Sequence, residues 1–213
     1  MSKQGRNENP VVILDFDGTI VDSLPAVIKV FEDISKHPRR FSPKQIEAFR
    51  NLSLPELANN LKIPKWKIPW LLFRGRRMMR SHLRSIKIHP GMEDAIKKLD
   101  ANSIKLYILS SNSEQNVRKY LQWHGLDRYF LGIYGGAGLL GKAPKLAKLV
   151  KRERIVAGRT WYIGDETRDV LAAKTVGLHS GAVTWGYNTS KALVAKDPER
   201  IFNTPIEIVK AIV

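Results

Sequence analysis

The sequence predicts an α/β fold, a doubly wound and mostly parallel sheet with a small inserted α-helical cap. Three observations predict it. Short apolar runs recur along the chain, each followed by a segment whose apolar residues fall at helical spacing. That alternation calls for parallel strands whose crossover helices cover both faces of the sheet. Between residues 22 and 88 it stops and helical signals alone persist, as an insertion would produce. The expected organisation is a core of residues 1–21 plus 89–213 and a cap of residues 22–88.

Val11–Val12–Ile13–Leu14 reads as a buried strand ending at Asp15, with Gly18 as a turn residue. Val27, Val30, Phe31 and Ile34 then share one helical face, so a helix begins near Ser23. From Ser42 to Ser85 the chain is expected to be helical throughout. Ser42 with Gln45, and Ser53 with Glu56, have capping-box spacing, and Pro43 suits a first helical position. Pro64 and Pro69 interrupt this stretch before a longer run from Trp70.

After His89–Pro90–Gly91 the alternation begins. Ala95, Ile96 and Leu99 mark a helix, and Leu106–Tyr107–Ile108–Leu109 a strand. Val117, Tyr120 and Leu121 mark a helix closed by Gly125, and Trp161–Tyr162–Ile163 a further strand. The helix through Val170, Ala173 and Val176 stops at Gly177, a natural left-handed terminator. Gly181–Thr184 and Arg200–Phe202 are late strands, and Pro205–Ile212 a closing helix. There is no internal repeat and no low-complexity tract.

The 213 residues give room for one sizeable core plus a satellite, and 43% hydrophobic residues exclude wholesale disorder. The chain has no cysteine, which excludes disulfides, thiolate metal sites and a cysteine nucleophile and fits a reducing compartment. The first ten residues are polar, unlike a secretory signal, and no run reaches the ~18 apolar residues of a membrane span. A soluble cytoplasmic protein without a transmembrane segment is expected, while oligomeric state leaves no mark on the sequence. Lysine and arginine number 36 against 20 acids, a net charge of +16. Such an excess suggests an anionic partner, whether a phosphorylated metabolite, nucleic acid or a membrane surface.

Four groups occur in order, each expected at or just past the C-terminal end of a strand, where open α/β sheets bind ligands. Asp15–Phe16–Asp17–Gly18–Thr19 carries two carboxylates two residues apart, suited to a nucleophile and a general acid/base. Gly18 there would let the backbone approach a phosphate and offer its N–H. The same residues would also make an ordinary acidic turn capping the next helix. Ser110, with Ser111 and Asn112, offers a hydroxyl and backbone N–H groups as an oxyanion cradle, though Ser and Asn are equally common N-caps. Lys142, in Gly141–Lys142–Ala143–Pro144, is either a fixed cation for phosphate oxygens or one of many solvated lysines. Gly164–Asp165–Glu166–Thr167–Arg168–Asp169 clusters carboxylates as a hard cation such as Mg²⁺ requires, or as a helix dipole favours at its N-terminus. Each signal alone has a bland explanation. An acid pair, a hydroxyl, a lysine and a second acid cluster in this order do not arise from independent accidents.

In these residues the chain resembles the haloacid-dehalogenase-like hydrolase superfamily. DFDGTIVDS at 15–23 is similar to its first motif, Leu106–Ser110 to the second, Lys142 to the third and GDETRD at 164–169 to the fourth. HPGM at 89–92 and TWGY at 184–187 resemble the phosphoglycolate-phosphatase-like branch. The resemblance spans roughly residues 11–213 and implies a Rossmann-like core. It implies a Mg²⁺-dependent phosphatase acting on the phosphate monoester of a small metabolite. Asp15 would form an aspartyl-phosphate, and Asp17 would serve as acid and then base. Ser110 and Lys142 would grip phosphoryl oxygens, with Gly18, Thr19, Ser111 and Asn112 contributing to substrate binding. The metal would be held by Asp15, the backbone carbonyl of Asp17 and Asp165, with Asp169 in support. Positioning and charge neutralisation do most of the work in such phosphoryl transfers.

Asp17 argues against a dehalogenase, which does not need a second acid. Sugar phosphomutases of this branch carry a histidine where this chain has Val27, which favours a phosphatase over a mutase. A phosphonatase with a cap lysine nucleophile stays open, as does an idle member that uses its cap for binding. From Lys62 to Lys87 the cap carries nine Lys/Arg and no acid, with Trp66, Trp70 and Phe73 interleaved. That block is either a solvated helix face or a surface for a highly charged substrate, a membrane surface or nucleic acid. The five histidines are scattered without ligand spacing.

Overall fold

The structure is a computed structural model, and it describes residues 9–35, 40–52, 54–61, 63, 64, 66, 70, 83–137 and 142–213. Six strands form one wholly parallel sheet: β1 (Val11–Leu14), β4 (Lys105–Leu109), β5 (Gly132–Tyr134), β6 (Thr160–Gly164), β7 (His179–Val183) and β8 (Arg200–Phe202). Their order across the sheet is β5-β4-β1-β6-β7-β8. The chain leaves β1 towards β4 and β5, then returns across β1 to build β6, β7 and β8. The strand order therefore reverses around β1, which opens a crevice at the C-terminal ends of β4, β1 and β6.

Successive β1 side chains enter opposite cores, as strand alternation requires. Val12 and Leu14 join a cluster with Leu106, Ile108 and Ile163 under α4 (Met92–Ala101), α5 (Glu114–Trp123) and α9 (Pro205–Ile212). Val11 and Ile13 join Tyr107, Leu109 and Tyr162 under α6 (Lys142–Arg152) and α7 (Thr167–Val176). Fully burying a Val, Leu or Ile contributes about 1.5–3 kcal/mol.

A two-stranded antiparallel ribbon lies apart from the sheet. In it β2 (Val21–Asp22) pairs with β3 (Lys87–Ile88), Val21 opposite Ile88 and Asp22 opposite Lys87. The ribbon joins the two ends of the segment between β2 and β3. Within that segment lie α1 (Leu24–Ser35), α2 (Pro43–Arg50) and α3 (Leu54–Asn60). Ser42 and Gln45 form a reciprocal capping box at α2, and Pro43 opens the helix. The stretch expected to be helical from Ser42 is interrupted where α2 ends at Arg50, and α3 starts at Leu54, next to the capping-box spacing read at Ser53 with Glu56. Ser53, Phe73 and most of the basic residues between 62 and 87 lie outside the described residues. Trp66 and Trp70, which are described, are exposed.

β5 and α6 are among the elements that carried too little signal to be expected. β5 is three residues long and begins with glycine, and α6 hides its apolar stripe of Leu146 and Leu149 among five basic residues. The expected helices over 92–101 and 167–176 are present, with Gly177 at φ +76° ending the latter. Among the described residues, no helix is long and apolar enough to cross a membrane.

Candidate active site

Asp15 follows the last residue of β1 and is locked there by its own backbone, whose N–H donates to Ile163 O (2.9 Å) on β6. Its Oδ1 accepts from Phe16 N (2.8 Å) and its Oδ2 from Lys142 Nζ (2.6 Å). Lys142 does not leave a strand, as expected, but opens α6. The same ammonium donates to Asp169 Oδ1, which also accepts from Tyr162 Oη at 2.9 Å. Asp169 Oδ2 caps α7 by accepting from Glu166 N (3.1 Å).

Asp165 follows β6. Thr19 Oγ1 donates to its Oδ1 (2.8 Å) and Tyr187 N to its Oδ2 (2.7 Å). Two glycines make room for this carboxylate. A Cβ on Gly18 (φ +79°) would fall 2.2 Å from Asp165 Oδ2, and one on Gly186 would fall 2.2 Å from Asp165 Cβ. The sequence suggested a different task for Gly18, an N–H offered to phosphate. That N–H donates instead to Val21 O (2.8 Å), closing the turn after β1. Thr19 is likewise tied to Asp165 rather than open to a ligand.

Oxygens of Asp15, Asp165 and Asp169 all lie within 4.8 Å of one another, and all three residues are buried. Burial pushes the Asp15 carboxyl up to about 7, with Asp169 and Glu166 adding to the rise and Lys142 opposing it. Asp165 is also raised, by burial and then by its anionic neighbours. Burial alone would lower Lys142, but Asp15 and Asp169 outweigh it and leave the ammonium firmly charged. Five carboxylates (Asp15, Asp17, Asp165, Glu166 and Asp169) converge here on two cations, Lys142 and Arg168. A hard divalent cation bound by oxygen fits that surplus and those ligands.

Asp17 is half-buried, with Oδ2 accepting from Asn112 Nδ2 (3.1 Å). Its Oδ1 is buried and has no partner among the described residues. Burial raises this carboxyl, while hydrogen bonds from Ser23 and Asn112 hold it down. Ser110 follows β4, fully buried, its Oγ accepting from Asn112 N (3.0 Å). Ser111 Oγ is buried without a partner among the described residues, so a donor is left for a ligand. Asn112 is fixed by Ser113 N (2.9 Å) and Asn116 Nδ2 (3.0 Å) on its Oδ1, so its Nδ2 points to Asp17.

Hydrogen bonds thus tie Lys142 to Asp15 and Asp169, Thr19 to Asp165, and Asn112 to Asp17 and Ser110. The model of the family "Haloacid dehalogenase-like hydrolase" matches residues 12–183. The chain belongs to this family. The hydrolase is 37% identical over 206 residues to a phosphoglycolate phosphatase of Synechococcus elongatus, covering 94% of this chain and 96% of that one. It is 26% identical to a phosphoglycolate phosphatase of Pseudomonas fluorescens, covering 91% of this chain and 76% of that one. Its fold is that of a haloacid dehalogenase-like family protein of Streptococcus pneumoniae, with a TM-score of 0.81 at 21% identity, covering 96% and 99% of the two chains.

Other residues of the hydrolase's site escaped sequence reasoning. Tyr162 passed as an apolar strand residue, yet its hydroxyl holds Asp169. Arg168 pairs through Nη2 with Glu166, while its Nε and Nη1 are buried with no partner among the described residues. The HPGM and TWGY segments meet, His89 lying edge-on to Trp185 with ring centroids 6.2 Å apart. Trp185 Nε1 also donates to Thr19 O (3.0 Å), bracing the turn that carries Asp17. Histidine and tryptophan flagged those segments, but nothing in the sequence paired them.

Proposed function

We propose that this haloacid dehalogenase-like phosphatase hydrolyses the phosphate monoester of a small metabolite bearing a second negative charge, through an aspartyl-phosphate on Asp15. The observation that carries this reading is the placement of Asp15 and Asp17. One carboxylate is fixed against Lys142 in the acid cluster, and the other has one oxygen unpartnered among the described residues.

Asp15, Asp165 and the backbone carbonyl of Asp17 would hold a Mg²⁺ ion, which would supply the charge neutralisation that lets a dianionic ester approach a carboxylate. Asp169 keeps Lys142 in place and lies close enough to support the metal. An Asp15 carboxylate oxygen attacks phosphorus as the ester P–O bond breaks. Asp17, whose carboxyl is raised by burial, gives its proton to the leaving oxygen. Asp17 then takes a proton from water as that water attacks phosphorus, phosphate departs and Asp15 is restored. Ser110, Ser111 and Lys142 hold the phosphoryl oxygens meanwhile.

The second charge is inferred from Arg168, whose free buried donors lie beside the acid cluster. The phosphoglycolate phosphatases similar to this chain make 2-phosphoglycolate, a phosphate ester with a carboxylate, the first substrate to test. A mutase is disfavoured because Val27 packs against the apolar core where that chemistry uses histidine. The insertion 22–88 acts as a cap swinging on the β2–β3 ribbon, and the cysteine-free chain suits a cytoplasmic setting. Phosphate release from a panel of small phosphomonoesters, with Mg²⁺ and with chelator, tests the proposal. Mg²⁺-dependent turnover greatest on carboxylated esters supports it, and no Mg²⁺-dependent release from any ester rejects it.

A further inference from the structure

The loop between β7 and α8 (Ser190–Val194) is gripped from two sides. From the cap, Arg50 at the end of α2 donates through Nη2 to Gly186 O (3.0 Å) and through Nε to Tyr187 O (3.1 Å). Its remaining nitrogen, Nη1, pairs with Glu47 (3.1 Å) on the exposed side of the same helix. The loop answers from its own side. Asn188 Nδ2 donates to Arg50 O (2.8 Å) and Leu52 O (3.3 Å), and Thr189 N to Arg50 O (3.2 Å).

From the core, the same loop holds Asp165. Tyr187 N donates to Asp165 Oδ2 (2.7 Å) and Asn188 N to Asp165 O (3.3 Å). Asn188 Oδ1 accepts from Thr167 N (2.8 Å), tying the loop to the first turn of α7.

The atoms match in pairs. Gly186 O and Tyr187 N–H belong to one peptide unit, and Tyr187 O and Asn188 N–H to the next. A peptide unit is planar and rigid, with its carbonyl and N–H pointing in opposite directions. Two consecutive planes are therefore each strung between the Arg50 guanidinium and Asp165. Accepting a charged donor at the carbonyl also polarises the N–H of the same unit, strengthening its bond to Asp165, at the carboxylate for Tyr187 N and at the backbone carbonyl for Asn188 N. Gly186 keeps the first plane pressed against Asp165, since a side chain there would overlap it.

We propose that Arg50 is a positioning residue that couples the seating of the cap to the orientation of Asp165, and so to the affinity of the acid cluster for a divalent cation. The inference rests on the metal assignment proposed above. With α2 seated, both planes are fixed and Asp165 is held as a ligand. With α2 withdrawn, both planes lose their outer anchor and Asp165 loosens. Cap closure over a substrate thereby tightens the metal, and a bound metal favours the closed cap to the same degree, as linkage requires.

The test is cation binding without substrate, by calorimetry with Mg²⁺ and by the electron paramagnetic resonance of Mn²⁺, on the full chain. Loss of an outer-shell partner costs a metal site about 10–100-fold in affinity, and Arg50→Met is expected at the lower end, about tenfold. Arg50→Lys, with one head for two carbonyls, should fall between it and the wild type. Glu47→Gln, which spares both carbonyl contacts, should leave binding unchanged. Arg50→Met and Asn188→Ala should be non-additive, since both cut one chain of contacts. A folded Arg50→Met protein that binds Mg²⁺ and Mn²⁺ as tightly as the wild type overturns the inference. Should that variant not fold, Arg50→Lys with wild-type affinity overturns it equally. A wild type that binds no divalent cation removes the metal assignment and this coupling together. One that binds cation but hydrolyses no phosphomonoester rejects only the proposed activity, and the Arg50 comparison then still decides the coupling.

Discussion

Lys142 stands between Asp15 and Asp169, 2.6 Å from Asp15 Oδ2, and all three side chains are almost sealed from water. An ion pair so buried is costly to break from one side, because the remaining charge is left uncompensated. Lys142→Met should therefore cost about 3–5 kcal/mol of stability near pH 8. The penalty should shrink towards pH 5. Burial has already raised Asp15 to about 7, and without Lys142 its folded value rises further. As pH falls through that value the carboxyl protonates and the uncompensated charge disappears. Urea denaturation at both pH values checks this. An equal loss at both would show that charge is not the cause.

Gly186→Ala should weaken cation binding by about 10–100-fold, the cost typical of a disturbed outer shell, while leaving a folded protein. The new methyl group would have to displace Asp165, whose Cβ it would meet at 2.2 Å. Calorimetric titration with Mg²⁺ measures it, and unchanged affinity would mean that the loop has room the geometry denies.

Arg168→Met should raise KM for a carboxylated phosphomonoester by about tenfold, the size of one lost charge-assisted hydrogen bond, with less effect on kcat. Uncharged esters should be affected less. Steady-state kinetics on a matched pair of substrates separates the two cases. Equal loss on both would assign Arg168 to scaffolding through Glu166.

Much of this site was legible because the sheet's chemistry is written at strand ends. Asp15, Ser110 and Asp165 each end an apolar run, so hydrophobic patterning located them without any contact information. Lys142 was visible only as a residue type, since the short β5 and the lysine-rich α6 disguise its place in the fold. The place of Gly18 against Asp165 was not legible, for a physical reason. A missing side chain is visible in a sequence, but which carboxylate fills the vacated space is not. The contacts from Arg50 to Asp165 run through carbonyls and N–H groups, which every residue carries, so no residue pattern announces them.

A pH effect on stability is expected far from the site. His179 places Nδ1 2.7 Å from Glu199 Oε2 and Nε2 3.1 Å from Gly158 O, and it stacks on Trp161 with centroids 5.0 Å apart. Acceptors at both nitrogens favour the imidazolium, and the His179 pKa is raised, chiefly by Glu199. A raised folded value means that the stabilisation is fully present below the unfolded value of about 6.5 and is lost as pH rises through the folded one. The Tm advantage of wild type over His179→Gln should therefore be larger at pH 6 than at pH 9. A difference independent of pH would leave only packing on Trp161.

The central claim is that Asp15 carries the phosphoryl group. Acid quenching during turnover, followed by peptide mass mapping, tests it most directly. The expected result is a transient phosphoryl adduct on the peptide containing Asp15, acid-stable and labile to hydroxylamine as an acyl phosphate is. Folded Asp15→Asn should lack the adduct and lose turnover by about 10⁴-fold or more, as when other nucleophiles are removed. Phosphate release by folded Asp15→Asn at near wild-type rate, or a phosphoryl group mapped to a different residue, would contradict it.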